Sequence, residues 1–223
     1  MKTYKWILLW LLVPVICYSQ DELLDQIDKE DSIQLAQAAF KGLKIVNFES
    51  TKLVNRRELY FIISHRFGSI KNGFDDFFGL DVANTRLQLI YGFTDGFNLS
   101  ISRHSFNKTY EINSKYRFAK QQNNFPITLV GYSQFAINTL LEEALILRPV
   151  DFSDRISVTQ QILISRKVTE RLSLELIPTY FYEGYVDYDP QDNNQFALGI
   201  GGRYKVSKRW SINVDYGWHL NRA

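Results

Sequence analysis

From Glu58 to the end of the chain, apolar and polar residues alternate with a period of two, segment after segment. This is the pattern of β-strands with one apolar face and one polar face. Trp210, Ile212, Val214, Tyr216 and Trp218 alternate with Ser211, Asn213, Asp215, Gly217 and His219. Leu172, Leu174, Leu176, Pro178, Tyr180 and Tyr182 alternate with Ser173, Glu175, Ile177, Thr179, Phe181 and Glu183. Tyr110, Ile112, Ser114, Tyr116 and Phe118 alternate with Glu111, Asn113, Lys115 and Arg117. Similar runs begin near Glu58, Arg86, Phe97, Ile156 and Phe196, and Ile127 to Asn138 is strand-like with ambiguous faces. The pattern predicts nine strands, each about the length a tilted membrane strand needs. Two have blemishes: Gln160 falls on an apolar face, and Pro178, which lacks a ladder N–H, predicts a bulge.

Beyond the N-terminus no apolar stretch reaches the roughly 18 residues of a membrane helix. A mature chain that crosses a bilayer must therefore do so as strands, and only a closed barrel satisfies their backbone groups in lipid. The connections differ by side. Thr94 to Gly96, Val168 to Arg171 and Ser207 to Arg209 are tight turns, whereas Phe67 to Ala83, Thr139 to Ser153 and Gly184 to Asn194 are long and polar. Short periplasmic turns and long outer loops give this asymmetry.

A water-soluble barrel also alternates, but aromatic placement favours lipid outside. Aromatics are 15% of the chain. On the apolar face, Phe93, Phe97, Phe118 and Trp210 lie near the turns, and Tyr110, Tyr180, Tyr182, Phe196, Tyr216 and Trp218 lie near the loops. Two aromatic girdles with aliphatics between them match a membrane slab. The opposite face carries Arg86, Glu111, Lys115, Arg117, Glu175, Arg203, Lys205 and Asp215, which suits a wet, crowded lumen. The fold expected is all-β: an antiparallel, up-and-down transmembrane barrel, with nine strands visible of ten to twelve.

The first 19 residues have the form of a signal peptide: Lys2 and Lys5, the apolar run Trp6 to Ile16, then Cys17-Tyr18-Ser19 for cleavage. Removing Lys2 and Lys5 lowers the 26 Lys and Arg to 24, equal to the 24 Asp and Glu. No basic surplus points to nucleic acid. The only cysteine, Cys17, leaves with the leader, so no disulfide is expected. Residues 20–56 form a lead-in, with Leu23, Leu24, Ile27 and Leu35 at loosely helical spacing. Within it Leu43 to Phe48 is extended and reads as a periplasmic or plug segment. Residues 57–223 are the barrel. The expected location is the outer membrane, with its lipid as partner.

Particular residues also resemble a known family. They are Glu58-Leu59, His65-Arg66-Phe67-Gly68, Phe77-Phe78-Gly79-Leu80-Asp81, Ala83-Asn84-Thr85-Arg86, Tyr91-Gly92 with Thr94-Asp95, and Arg103 with Ser105-Phe106 and Lys108-Thr109-Tyr110. Lys115-Tyr116 and Phe196 to Lys205 complete the set. Together they are similar to a Bacteroidetes-type β-barrel family of unknown function, over about Gly42 to Tyr216. The resemblance implies an outer-membrane barrel and carries no activity. His104 stands where that family's pattern leads one to expect a small residue.

No motif carries chemistry. Gly199, Gly201 and Gly202 lie inside a strand, not at the strand-to-helix turn of a phosphate cradle, and read as room for close packing in the lumen. His65, His104 and His219 have no partners at metal-ligand spacing. Asp75, Asp76, Asp81 and Asp95 fit no calcium loop. His104-Ser105 could form a lipid hydrolase pair only if both pointed to one side, which neighbours on a strand do not. No catalytic residue, cofactor or metal is therefore expected. An outer-membrane enzyme acting on lipid and a soluble periplasmic ligand-binding barrel are the alternatives.

Three further expectations follow. With the N-terminus in the periplasm, the ninth strand ends outside; even strand numbers then call for at least one more strand after Ala223. The three long loops face the cell exterior. The lumen is narrow and mostly closed, with charges of both signs paired across it, Tyr60, Ile177 and Phe181 filling space, and Phe67 to Ala83 folded over the mouth as a cap.

Overall fold

A computed structural model describes residues 38–122, 125–141, 149–186 and 190–222. The leader and the helical part of the lead-in lie outside these residues. Nine strands, β1 (Leu59–Phe67), β2 (Ala83–Thr94), β3 (Phe97–His104), β4 (Tyr110–Ala119), β5 (Thr128–Ile137), β6 (Ile156–Lys167), β7 (Leu172–Glu183), β8 (Asn194–Lys205) and β9 (Ser211–His219), pair in sequence order. Every ladder is antiparallel. Among the described residues no ladder joins β9 to β1. The connections before β3, β5, β7 and β9 define a turn end, and the opposite side a loop end.

The faces are inverted relative to a water-soluble sheet. In β2, Arg86, Gln88 and Ile90 are buried, whereas Leu87, Leu89, Tyr91 and Phe93 between them are exposed. In β3, Asn98, Ser100 and Ser102 are buried and Phe97 and Ile101 exposed. In β7, Ser173, Glu175 and Ile177 are buried and Leu174 and Leu176 exposed. Exposed apolar residues recur on the outward side of strand after strand, far more than the few hundred Å² that soluble monomers leave open. β5 resolves the ambiguous segment: Val130, Tyr132 and Ala136 face in, and Leu129, Ser133, Phe135 and Ile137 face out.

The sheet curls around the chain's own N-terminal segment. Phe40, Ile45, Phe48 and Leu53 of that segment form one apolar core with the inward residues Val130, Tyr132, Leu163 and Ile177. The segment enters at the turn end, reverses in the lumen and returns to β1. Leu43 to Phe48 is thus a tight reversal and not the extended run expected. Lys44 bridges Glu49, Ile45 N–H donates to the Phe48 carbonyl at 2.9 Å, and Ser50 N–H to that of Leu43 at 3.0 Å. The room for it comes from glycines. Gly199 and Gly217 are paired across β8 and β9. A Cβ on either would stand 2.9 or 2.8 Å from the Phe48 ring.

Pro178 makes no bulge: the β6–β7 ladder lapses between Gln161↔Thr179 and Ile164↔Leu176 but keeps its register. The bulges lie instead at Gly92/Thr94 and Arg117/Ala119, near the turns. The Phe67 to Ala83 loop is not a cap. Phe74, Phe77, Phe78 and Leu80 are exposed, with the Phe74 and Phe78 rings packed edge to face, centroids 4.8 Å apart. Phe77 and Phe78 both hold left-handed backbone (φ 47° and 57°), which bulky residues rarely adopt.

Candidate functional site: a plugged lumen

The inward face holds the N-terminal segment through a few polar anchors. Asp215, near the middle of β9, accepts N–H bonds from Val46, Asn47 and Phe48 at 3.0, 2.7 and 2.9 Å. Three consecutive amides on one carboxylate oxygen match the exposed donors of a tight reversal to a single negative charge. Lys115 on β4 is 5% exposed. Its ammonium meets Glu49 at 2.9 Å and donates to the carbonyls of Leu43 and Ser50 at 3.0 and 2.9 Å. Glu49 also pairs with Lys44 at 2.9 Å. Burial alone would raise the Glu49 pKa, but the two lysines outweigh it and hold the carboxyl at about 2. Glu175 on β7 accepts from Thr51 N–H at 3.2 Å, and the Thr51 hydroxyl lies 2.6 Å from that of Ser165. At the turn end, Arg57 N–H donates to the Gly92 carbonyl and Gly92 N–H to that of Glu58.

Of the eight inward charges expected from the pattern, only Arg86 and Glu111 pair with each other across strands, at 2.6 Å, with Ser102 also donating to Glu111. Lys115, Glu175 and Asp215 are engaged by the plug instead. Arg117 lies near a turn and donates to the Asp95 carbonyl at 2.9 Å. Arg203 lines a pocket of about 180 Å³ at the turn end with Lys41, Lys208 and Trp210. Lys205 pairs in register with Ser211 close by. Ile177 is fully buried as expected, whereas Tyr60 on β1 is exposed.

Beyond the tip of the plug a cavity of about 370 Å³ opens at the loop end. Asn47 and Phe48 form part of its floor, and Arg66, Arg86, His104, Gln134 and Gln161 are among its walls. It is large enough for a small polar solute. His65 bonds the Thr85 hydroxyl at 3.0 Å, and the His219 ring packs near Phe181. The Ser105 hydroxyl accepts from Thr85 N–H, and no bond joins it to the His104 ring among the described residues. Among those residues, no three His, Cys, Asp or Glu side chains are grouped to hold a metal.

The outward face carries many aromatic residues. Phe93, Phe97, Phe118 and Trp210 are exposed near the turns, and Tyr216 and Trp218 near the loops; Tyr180 and Tyr182 are half-buried. Neighbours pack edge to face: Tyr91 on Phe93, Tyr116 on Phe118 and Tyr216 on Trp218, with centroids 4.9, 5.0 and 4.7 Å apart. An apolar, ring-bordered exterior around a polar, filled interior is the arrangement of a barrel in a bilayer. The chain belongs to the family described as "membrane bound beta barrel domain" (DUF5777). The match spans residues 40–223, so this membrane-bound β-barrel domain takes in the plug as well as all nine strands. No curated protein and no solved structure matches the chain.

Glu49 and Thr51 are the site residues that the alternation missed; Phe48 closes the Leu43 to Phe48 run that reads as a periplasmic or plug segment. The signal for them lay in the barrel, not in the plug. Gly199, Gly201 and Gly217 leave a bare track on the inner wall of β8 and β9 that needs a filler.

Proposed function

We propose that this membrane-bound barrel sits in the outer membrane, delivered there by a cleaved leader, and is closed at rest by residues 39–54. On this reading it has a structural or transport-related role and is not an enzyme. Any passage of solute requires the plug to leave. The observation that carries the reading is the set of polar anchors on Asp215, Lys115 and Glu175, which fix one short segment to three strands around the lumen. Apolar filling alone would leave the segment free to slide, but each anchor is specific to one position.

The reading is tested by recording purified full-length protein in planar bilayers beside a variant lacking residues 39–54. The intact chain is expected to give no steady conductance and the deletion to give sustained current. Large, steady steps from the intact chain would end the closed-barrel reading. Recovery in the soluble periplasmic fraction would end the outer-membrane one.

A further inference from the structure

The outward face is apolar at mid-strand except in one place. β4 presents Tyr110, Ile112, Ser114, Tyr116 and Phe118 outward; β5 presents Leu129, Gly131, Ser133, Phe135 and Ile137; β6 presents Ile156, Val158, Gln160, Ile162 and Ile164. In each strand the central residue of the five is polar. The three are in register: Ser114 pairs with Ser133, and Ser133 with Gln160. They form a continuous polar stripe across the middle of the membrane face. By contrast, the outward positions Leu174 and Leu176 of β7, Ile200 of β8 and Val214 of β9 are all apolar and exposed.

The stripe is only partly satisfied from within. The Ser133 hydroxyl donates to Gln160 Oε1 at 2.6 Å, and the Tyr116 hydroxyl lies 3.3 Å from Ser133. The Gln160 side-chain NH₂ has no hydrogen bond among the described residues, and Gln160 is exposed. Acyl chains offer no acceptor, so two free donors at mid-membrane are costly unless another protein supplies one. The Tyr116 ring occupies the space over Gly131, where a Cβ would collide with it.

We propose that β4, β5 and β6 form the interface between two copies of this chain in the membrane. The stripe is self-complementary: hydroxyls and a carboxamide each donate and accept. A two-fold axis along the membrane normal lays the two stripes across each other at Ser133, the centre of the three, which is the isologous contact expected of a symmetric dimer. The Gln160 NH₂ then finds hydroxyl acceptors on the partner.

The test uses the full-length chain in its native membrane, with Cys17→Ser as background and one added cysteine. Ser133→Cys, at the axis, is expected to give an oxidised band at twice the chain mass. Leu89→Cys and Val214→Cys, on other outward faces, should not. Ser133→Leu with Gln160→Leu should convert the mild-detergent particle from dimer to monomer while the barrel stays protease-resistant. The proposal is overturned if Ser133→Cys cross-links no more than the two controls, or if it links to a chain of a different mass.

Discussion

The barrel has two segments with the apolar content to stop its mouth, and only one of them does so. The loop from Phe67 to Ala83 carries Phe74, Phe77, Phe78 and Leu80, yet all four are exposed, and Phe74 and Phe78 pack only edge to face on each other. Residues 39–54 carry Phe40, Ile45, Phe48 and Leu53, and all but half-buried Phe48 are nearly inaccessible. Apolar content therefore does not decide which segment fills a polar lumen. The N-terminal segment also brings what the wall needs: Glu49 for Lys115, Thr51 for Glu175, and three adjacent amides for Asp215. The loop has no such match. In a wall lined with charges, an unpaired group costs more than a buried ring returns.

That contrast can be broken most severely at Lys115. Lys115→Met leaves Glu49 buried with only Lys44, and losing one partner of a buried pair typically costs about 3–5 kcal/mol. Amide exchange of residues 43–52 should rise by about 100-fold or more, while exchange in the Phe67 to Ala83 loop is unchanged. Equal acceleration in both segments would mean that the barrel itself, not the plug, had loosened.

Acid should act on the same pair with a definite sign. Docking holds the Glu49 carboxyl at about 2, below its ordinary value of 4.5, so its contribution is complete above pH 4.5 and fades as pH falls toward 2. Across that window docking should weaken by about 1.4 kcal/mol per pH unit. Glu49→Gln should flatten the profile, and an unchanged profile would move the acid sensitivity to another group.

A smaller effect is expected where the plug meets the bare wall. Gly217→Ala places a Cβ 2.8 Å from the Phe48 ring, and overpacking of this kind costs about 1–3 kcal/mol. Phe48→Leu in the same chain should recover most of the loss, a coupling that only contacting residues show. Thermal unfolding of the two single variants and the double variant measures it. Smallest of all is the loop. Deleting Gly73 to Leu80 should leave plug exchange and conductance unchanged, within about 0.5 kcal/mol. A rise in current would restore the loop as a cap.

The strands were legible because lipid and lumen impose opposite demands on alternate residues. β2 and β7 show this plainly, with Arg86 and Glu175 inside and Leu87 and Leu174 outside. β5 was not legible, because Gly131 and Ser133 stand on its lipid side and Val130 and Tyr132 on its inner side, which erases the contrast. Gln160 looked like a blemish when its strand was read alone; beside Ser114 and Ser133 it belongs to a row. The inward charges were legible as a face but not as pairs. Lys115, Glu175 and Asp215 find their partners more than 60 residues away, in a segment too short to show any period. The Leu43 to Phe48 run reads as a periplasmic or plug segment, and the glycines of β8 and β9 leave room on the wall, but neither names the polar partners.

Residues 39–54 occupy the lumen, and a single cross-link decides whether they do. Phe48→Cys and Gly217→Cys are combined in a Cys17→Ser chain that carries a protease site at Asn72, in the exposed loop between them. After oxidation and cleavage in the membrane, the two fragments should stay joined on a non-reducing gel and separate on reduction. Fragments that separate without reductant, while the barrel remains protease-resistant, would place the segment outside the lumen.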